Sequence, residues 1–408
     1  MKLITADFIV TCNNNFEIIA NGCLLFDKKI IKVGKKDEFL KKYSNLEIIG
    51  SGKNSIILPT FTNPHIHLEY SGNRTTLKYG KFMDWLNSVI KNREELMQKC
   101  DENCINEILN KILKSGVSAI GAVSNYAFDL QPCVESPIKV TYFNEVIGSK
   151  LEMIDALYQD FLGRFGESSD YNSENFKASI AIHSPYSTHP ILIKKVLEIA
   201  KKENLTVSTH LLESKAEREW LDKSEGDFVD FFKNFLNQSK SLTTPIEFIK
   251  LFKDVKTLFI HTLYANEEEL NEIEKINAKI ITCPISNRLL NSKLLNLDEI
   301  EKFNLNLSIA TDGLTSNYSL NMFEELRTTL FAYPNKDLHQ LAKELLIMAT
   351  KNGAKALNLN SGELSEDKNS DFMVLNLSDE SQKDDLILNL LLHSNEANQV
   401  FIDGERVI

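Results

Sequence analysis

Residues 177–213 read KASIAIHSPYSTHPILIKKVLEIAKKENLTVSTHLLE. A short β-rich run, KASIAIHSP, gives way to PILIKKVLEIAKKEN, whose apolar residues recur at helical spacing, and then to a second β-rich run, LTVSTHLLE. Outward from this unit the alternation continues. IILPTFTNPHIHLE, VSAIGAVSN and IKVTYFNEVIG precede it, and TLFIHTLYA, AKIITCPIS and LNLSIATDG follow, with helical patterns such as NEEELNEIEKIN between strands. Eight β-rich runs separated by helices predict an α/β fold, a closed (β/α)8 TIM barrel over about residues 58–360.

The two chain ends have a different texture. ADFIVTC, GCLLFDKKIIKVG and LEIIGSGKNSIILP alternate apolar and polar residues as half-buried antiparallel strands do, and NSDFMVLNL and NQVFIDGERVI repeat the pattern at the other end. Residues 1–57 and 361–408 are therefore expected to pair into one small β-sandwich. GSGKNS at 50–55 looks like a fragment of a phosphate loop. Position 47 is Glu where that pattern needs Gly, and Asn follows Lys53 where it needs Ser or Thr, so it reads as a turn.

Composition excludes several classes. The 408 residues are 43% hydrophobic, enough for a large core, and carry a net charge of -11 with lysines dispersed among acids, so no nucleic-acid footprint is present. No apolar run approaches the ~18 residues of a membrane span, and the start MKLITADFIVTC lacks the apolar block of a secretion signal. A cytoplasmic protein with no membrane partner is expected. The six cysteines are scattered without a ligand-pair spacing and are expected to be reduced and buried.

Barrel enzymes place chemistry at the carboxyl ends of their strands, where five of the eight histidines fall here. His65 and His67 flank Ile66 in NPHIHLE, and residues two apart on a strand share a face, so both imidazoles can point into the barrel. His210 ends the fifth run and Asp312 the eighth. A buried carboxylate there is costly unless a metal or hydrogen bonds neutralise it. Three imidazoles and a carboxylate suit Zn²⁺ or Fe²⁺, and a water at such an ion has its pKa lowered towards neutrality.

These residues together resemble the amidohydrolase superfamily, whose members carry HxH on the first strand, His on the fifth and sixth, and Asp on the eighth. PTFTNPHIHLE, STHLLES, IHTLYAN, TCPISNRLL and ATDGLTSN carry the likeness across nearly the whole chain. It implies metal ligands His65, His67, His210 and Asp312. The fourth run offers AIHSPYS instead of the lysine that bridges two metals in dinuclear members, so one divalent ion is implied, zinc before iron or manganese. The resemblance also implies roles: Glu213 protonates the substrate ring, His261 holds the attacking water, and Asp312 carries its proton to departing ammonia.

HSPY at His183 resembles the HAPY-type motif of nucleoside deaminases, where this histidine meets the sugar. FMDWL with Trp85 resembles the segment covering their substrate, and Glu94 aligns with a carboxylate that grips ribose hydroxyls. YFNEVIGSK shows Glu145 where S-adenosylhomocysteine deaminases carry a basic residue, which argues against an amino-acid tail. HLEYS, the FxxWL block with Arg93, and YFNEVIG are together most similar to 6-aminodeoxyfutalosine deaminases of the futalosine route to menaquinone. That similarity implies a small-molecule adenine nucleoside with a carboxyphenyl arm, met by Arg74 or Arg93. The alternatives are an adenosine, 5'-methylthioadenosine or S-adenosylhomocysteine deaminase, a chlorohydrolase or base deaminase on the same barrel, and a silent binding protein. A homodimer is compatible, since many related barrels are dimers, although no interface stripe stands out. His189, His339 and His393 receive no role.

Overall fold

The computed structural model describes residues 1–408 except 44, 45, 47, 73 and 74. Strands β1 (Lys2–Val10), β2 (Ile18–Phe26), β3 (Ile30–Lys35), β4 (Ile48–Ile49) and β5 (Ser55–Pro59) come first. The barrel strands follow: β6 (Phe61–His67), β7 (Val117–Ser124), β8 (Lys139–Val146), β9 (Phe176–Ile182), β10 (Thr206–Leu211), β11 (Lys256–His261), β12 (Lys279–Thr282) and β13 (Leu307–Ile309). Last are β14 (Phe372–Asn376), β15 (Gln399–Ile402) and β16 (Glu405–Arg406).

The eight β-rich runs are the eight strands β6 to β13, each hydrogen-bonded in parallel to the next in chain order. β6 and β13 meet at the seam through side chains as well as backbone. The Asn63 carboxamide donates to Thr311 Oγ1 (2.7 Å) and accepts from the Thr311 amide (3.1 Å), and the Asp312 amide donates to the His65 carbonyl (3.2 Å). β7 and β8 are buried along their whole length, as strands covered on both faces must be. Alternate residues divide between two cores: Phe143, Ala181, Leu258 and Ile260 fill the interior, while Tyr142, Ile182 and Phe259 pack outward towards the helices.

The terminal strands form one eight-stranded sheet, seven of them in the order β16-β15-β14-β5-β1-β2-β3 and β4 off that path beside β1. Ile4, Leu24, Phe26, Ile57, Phe372 and Phe401 close its inner core. IILPTFTNPHIHLE is not one strand. β5 pairs with β14 up to Pro59, and β6 begins at Phe61, so the change of sheet falls just past residue 57. The C-terminal segment also gives the helix Leu386–His393, packed on the barrel helices Met322–Ala332 and Leu338–Ile347, where strand patterning had suggested only sheet. Among the described residues no helix is long and apolar enough to cross a membrane.

Cysteine behaviour differs from expectation at one place. Cys12, Cys23, Cys133 and Cys283 are buried free thiols, but Cys100 and Cys104 are joined in a disulfide. Cys100 lies in the link just before Asp101, the N-cap of the helix Glu102–Lys114, and Cys104 lies in the first turn of that helix.

Sheet and barrel are tied by a buried charge cluster. Lys139, at the start of β8, donates to Asp371 (2.7 Å) and to Asp403 (2.8 Å), and the Lys139 and Asp371 side chains are 5% and 0% exposed. Lys139→Met should cost about 3–5 kcal/mol of unfolding free energy, because Asp371 keeps its burial and loses its counter-charge. A denaturant midpoint within experimental scatter of the parent would contradict this.

Candidate metal centre and the cavity beside it

Strand alternation aims most of the site. Ile66 and Leu68 pack outward in the helix-side core, which turns His65 and His67 inward, and the same logic turns His210 inward beside outward Leu211. His261 and Asp312 follow a different rule. Both have left-handed backbone (φ 67 and 60), as do Leu212 (φ 51) and Thr262 (φ 55), so the chain swings over the barrel mouth where three strands end. Without that turn, His261 would follow Phe259 towards the helices.

The five groups converge. His65 Nε2 and His67 Nε2 lie 3.7 and 3.8 Å from Asp312 Oδ1, and His261 Nε2 lies 3.8 Å from Asp312 Oδ2. Donor atoms of His65, His67 and His210 fall within 4.8 Å of one another, as do those of His65, His261 and Asp312. Ligands around a tetrahedral zinc with Zn–N ~2.1 Å stand about 3.4 Å apart, so the cluster is the right size for one cation.

Hydrogen bonds fix the tautomers. His210 Nδ1 lies 2.7 Å from the His183 carbonyl oxygen, which can only accept, so Nδ1 carries the proton and Nε2 is left as a lone pair. His261 Nδ1 donates to Asn287 Oδ1 (2.7 Å), whose amide donates in turn to Thr282 Oγ1 (3.2 Å). His261 Nε2 then faces Glu213 Oε1 at 3.5 Å. Both ring nitrogens of His65 are buried without a protein partner, a costly state that ligation of a cation would relieve at one of them. The residues thus fit a divalent metal.

Electrostatics agree. Burial drives His65 well below its ordinary value, His67 and His261 fall to about 4, and His210 also falls, so the imidazoles stay neutral and able to ligate. Burial alone would raise Asp312, but His67, His261 and His210 and the Ser286 hydroxyl (2.8 Å) outweigh it and hold the carboxyl below its usual range. Glu213 moves the other way: burial first, then the charges of Asp312 and Glu217, push it well above a normal carboxyl.

Further residues, not singled out from sequence, hold this set in place. Glu217 accepts from the Leu212 amide (2.9 Å) and the Glu213 amide (2.8 Å), fixing the turn that presents Glu213. Glu325 accepts from the Ile285 amide (2.9 Å) and from Asn317 (2.8 Å), seating the helix Pro284–Asn291 that carries Ser286 and Asn287. Glu69 accepts from Ser124 Oγ (3.0 Å) and from the amides of Asn125 (2.6 Å), Tyr126 (2.9 Å) and Phe128 (3.1 Å). One carboxylate after the metal pair thereby shapes the neighbouring wall. The sequence signal was its position, two beyond His67.

A cavity of about 440 Å³ opens beside the cluster, large enough for a small organic ligand. His183, Trp85 and Arg93 line it, together with Glu213. Trp85 is pinned by its indole N–H to the Thr315 carbonyl (2.8 Å), and the Arg93 guanidinium lies 5.0 Å from the Tyr126 ring centroid. Glu94 does not reach the cavity. It follows Arg93 on the helix Phe82–Gln98, and the ~100° step per residue turns it outward to an exposed position. Arg74 lies outside the described residues. His189 caps the helix Pro190–Lys202 by accepting from the Ile191 amide.

Residues 56–407 match the Amidohydrolase family. The chain belongs to the amidohydrolase family. This amidohydrolase is 48% identical over 389 residues, 95% of each chain, to the aminodeoxyfutalosine deaminase of a Nitratiruptor species. It is 38% identical over the full length of both chains to a Helicobacter pylori protein named adenosine deaminase. Among solved structures it resembles Helicobacter pylori aminofutalosine deaminase in complex with methylthio-coformycin, with a TM-score of 0.95, 38% identity and complete coverage of both chains.

The depressed histidines give a pH signature. Without metal, the unfolded chain takes up protons below its histidine pKa of ~6.5, whereas folded His67 and His261 resist down to about 4. Stability of the metal-free protein is therefore present above pH ~6.5 and lost as pH falls through that window. Calorimetry from pH 7.5 to 4.5 should show a falling Tm, and a flat Tm would contradict the neutral cluster.

Proposed function

We propose that this amidohydrolase is a cytoplasmic hydrolytic deaminase of an adenine nucleoside. Its substrate is 6-aminodeoxyfutalosine, converted to futalosine and ammonia in menaquinone biosynthesis. The observation that carries the reading is the pairing of neutral His65, His67 and His210 and an ionised Asp312 with a buried, proton-retaining Glu213 at the wall of a nucleoside-sized cavity. The 48% identity to an aminodeoxyfutalosine deaminase supports the choice of substrate.

One divalent ion, zinc before iron or manganese, would be held by His65, His67, His210 and Asp312, and when bound it supplies Lewis acidity that activates water near neutral pH. The chain's own groups do the rest. Asp312 accepts the first proton of the water as its oxygen adds to purine C6. Glu213, protonated beforehand, gives its proton to the ring nitrogen next to that carbon. His261, with Nδ1 committed to Asn287, turns its Nε2 lone pair to the reacting water and keeps it over C6. Asp312 then passes its proton to the amine, the C–N bond breaks, ammonia leaves, and Glu213 recovers its proton as the carbonyl forms.

Glu213→Gln should lower kcat by about 10²- to 10⁴-fold while metal content stays at the parent level. Loss of metal in that variant would show Glu213 to be a ligand instead. Among the described residues, Arg93 and Arg164 line the cavity and are the cations available to an anionic arm. The second reading, a deaminase of adenosine or 5'-methylthioadenosine, draws on the Helicobacter pylori relative that bears the name adenosine deaminase. Ammonia release from aminodeoxyfutalosine, adenosine, methylthioadenosine and S-adenosylhomocysteine separates the two. The largest kcat/KM should belong to aminodeoxyfutalosine, and a larger value for adenosine would favour the alternative.

A further inference from the structure

The barrel strands run parallel, so the amino-terminal ends of β11, β12 and β13 lie at the end of the barrel away from the metal cluster. A hollow of about 580 Å³ opens there, between the starts of β12 and β13 and the short helix Gly353–Ala356. Lys279, the first residue of β12, and Lys355, in that helix, both line it. Lys256, which begins the neighbouring strand β11, adds its charge to theirs. In a chain of net charge -11, three cations act on one another at this place.

Their hydrogen-bond partners are not acids. Lys279 Nζ donates to the Lys355 backbone carbonyl, and Lys256 Nζ to the Asn204 carbonyl (3.5 Å). Among the described residues, the charges that act on Lys279 are those of Lys256 and Lys355, and the exposed Glu274 is the one carboxylate lining the hollow. Asn306 lines it too, with Oδ1 buried and without a partner. Exchanging the amide oxygen and nitrogen places an N–H there instead, a further donor for an anion.

Lys279 is half-buried. Burial first, then the charges of Lys256 and Lys355, work against its ammonium form and bring it down to about 8. At pH 8 about half of it is free amine, against about 1 in 250 for a lysine of ordinary pKa ~10.4. A neutral amine that gives one N–H to the Lys355 carbonyl keeps its lone pair, and desolvation beside other cations is a recognised way to make a lysine nucleophilic.

An acyl phosphate matches both halves of this arrangement: its phosphate suits the lysine charges and its carbonyl carbon suits the amine. We propose that Lys279 is a site of covalent acylation by acyl phosphates, with Lys256 and Lys355 drawing in the phosphate group. The Nζ lone pair attacks the carbonyl carbon, and the carbon–oxygen bond to phosphorus-bound oxygen breaks with its electron pair. Inorganic phosphate departs, the nitrogen gives its extra proton to solvent, and a neutral amide remains. The site is independent of the metal cluster and of the deaminase reading.

Acetyl phosphate added to the metal-loaded protein at pH 8, with acetylated peptides quantified by mass spectrometry, tests this. Lys279 should react about 10-fold faster than the median lysine of the chain, the weaker nucleophilicity of a less basic amine offsetting part of its greater abundance. Its rate should level off above pH of about 8, whereas that of a lysine of ordinary pKa ~10.4 keeps rising. Excess inorganic phosphate should slow the reaction with acetyl phosphate several-fold and leave the reaction with a neutral acetyl ester unchanged. Replacing both neighbours, Lys256→Gln with Lys355→Gln, should lower the Lys279 rate with acetyl phosphate by about 10-fold, with Tm as the control for folding. If the double variant does not fold, each single replacement should show a smaller fall in the same direction. A Lys279 rate no higher than the median, one that phosphate does not slow, or one unchanged in these variants would overturn the proposal.

Discussion

The rest of the site depends on how four imidazoles and one carboxylate share a small dry volume. His65 lies with ring centroids 4.8 Å from His67, 5.0 Å from His210 and 6.2 Å from His261, and Asp312 sits among them. Burial disfavours every protonated imidazole, and each further proton would add repulsion at these distances. The low-energy state is neutral rings beside an ionised Asp312, which is a ligand set for a divalent cation. The same electrostatics holds Asp312 low and pushes Glu213 high, so two carboxyls in one cluster are prepared for opposite proton duties.

Holding that arrangement takes supporting hydrogen bonds. The imidazole N–H groups of His210 and His261 are anchored by a carbonyl and a carboxamide, and Glu217 and Glu325 use backbone amides to fix the loops that bring in Glu213, Ser286 and Asn287. Left-handed residues at the ends of β10, β11 and β13 add local strain, which the barrel's hydrogen-bonded strands are rigid enough to carry. Glu69 extends the logic outward: it lies on the metal-bearing segment and, through four donors, holds the wall that carries Asn125 and Tyr126. Ligand set and substrate wall are mechanically linked.

Much of this could be read from the sequence where a simple periodicity controls direction. Strand alternation was enough to point His65, His67 and His210 inward, and the eight β-rich runs became the eight barrel strands. His261 and Asp312 were recognisable by motif, but their geometry comes from left-handed turns that no alternation predicts. Glu94 stands exposed outside the cavity because a single step along a helix decides which way a side chain faces, and resemblance does not fix that phase. Glu145 was visible as an acid at a strand end, and its burial at the cavity wall is a property of the packed neighbourhood. The disulfide of Cys100 and Cys104 and the helix Leu386–His393 depend likewise on tertiary placement.

Anomalous X-ray scattering at the zinc edge from crystals of the zinc-loaded protein tests the central claim most directly. One peak per chain, within bonding distance of His65, His67, His210 and Asp312, is the predicted result. No peak, two peaks, or a peak bonded to Glu145 or His183 would contradict a single metal held by this cluster.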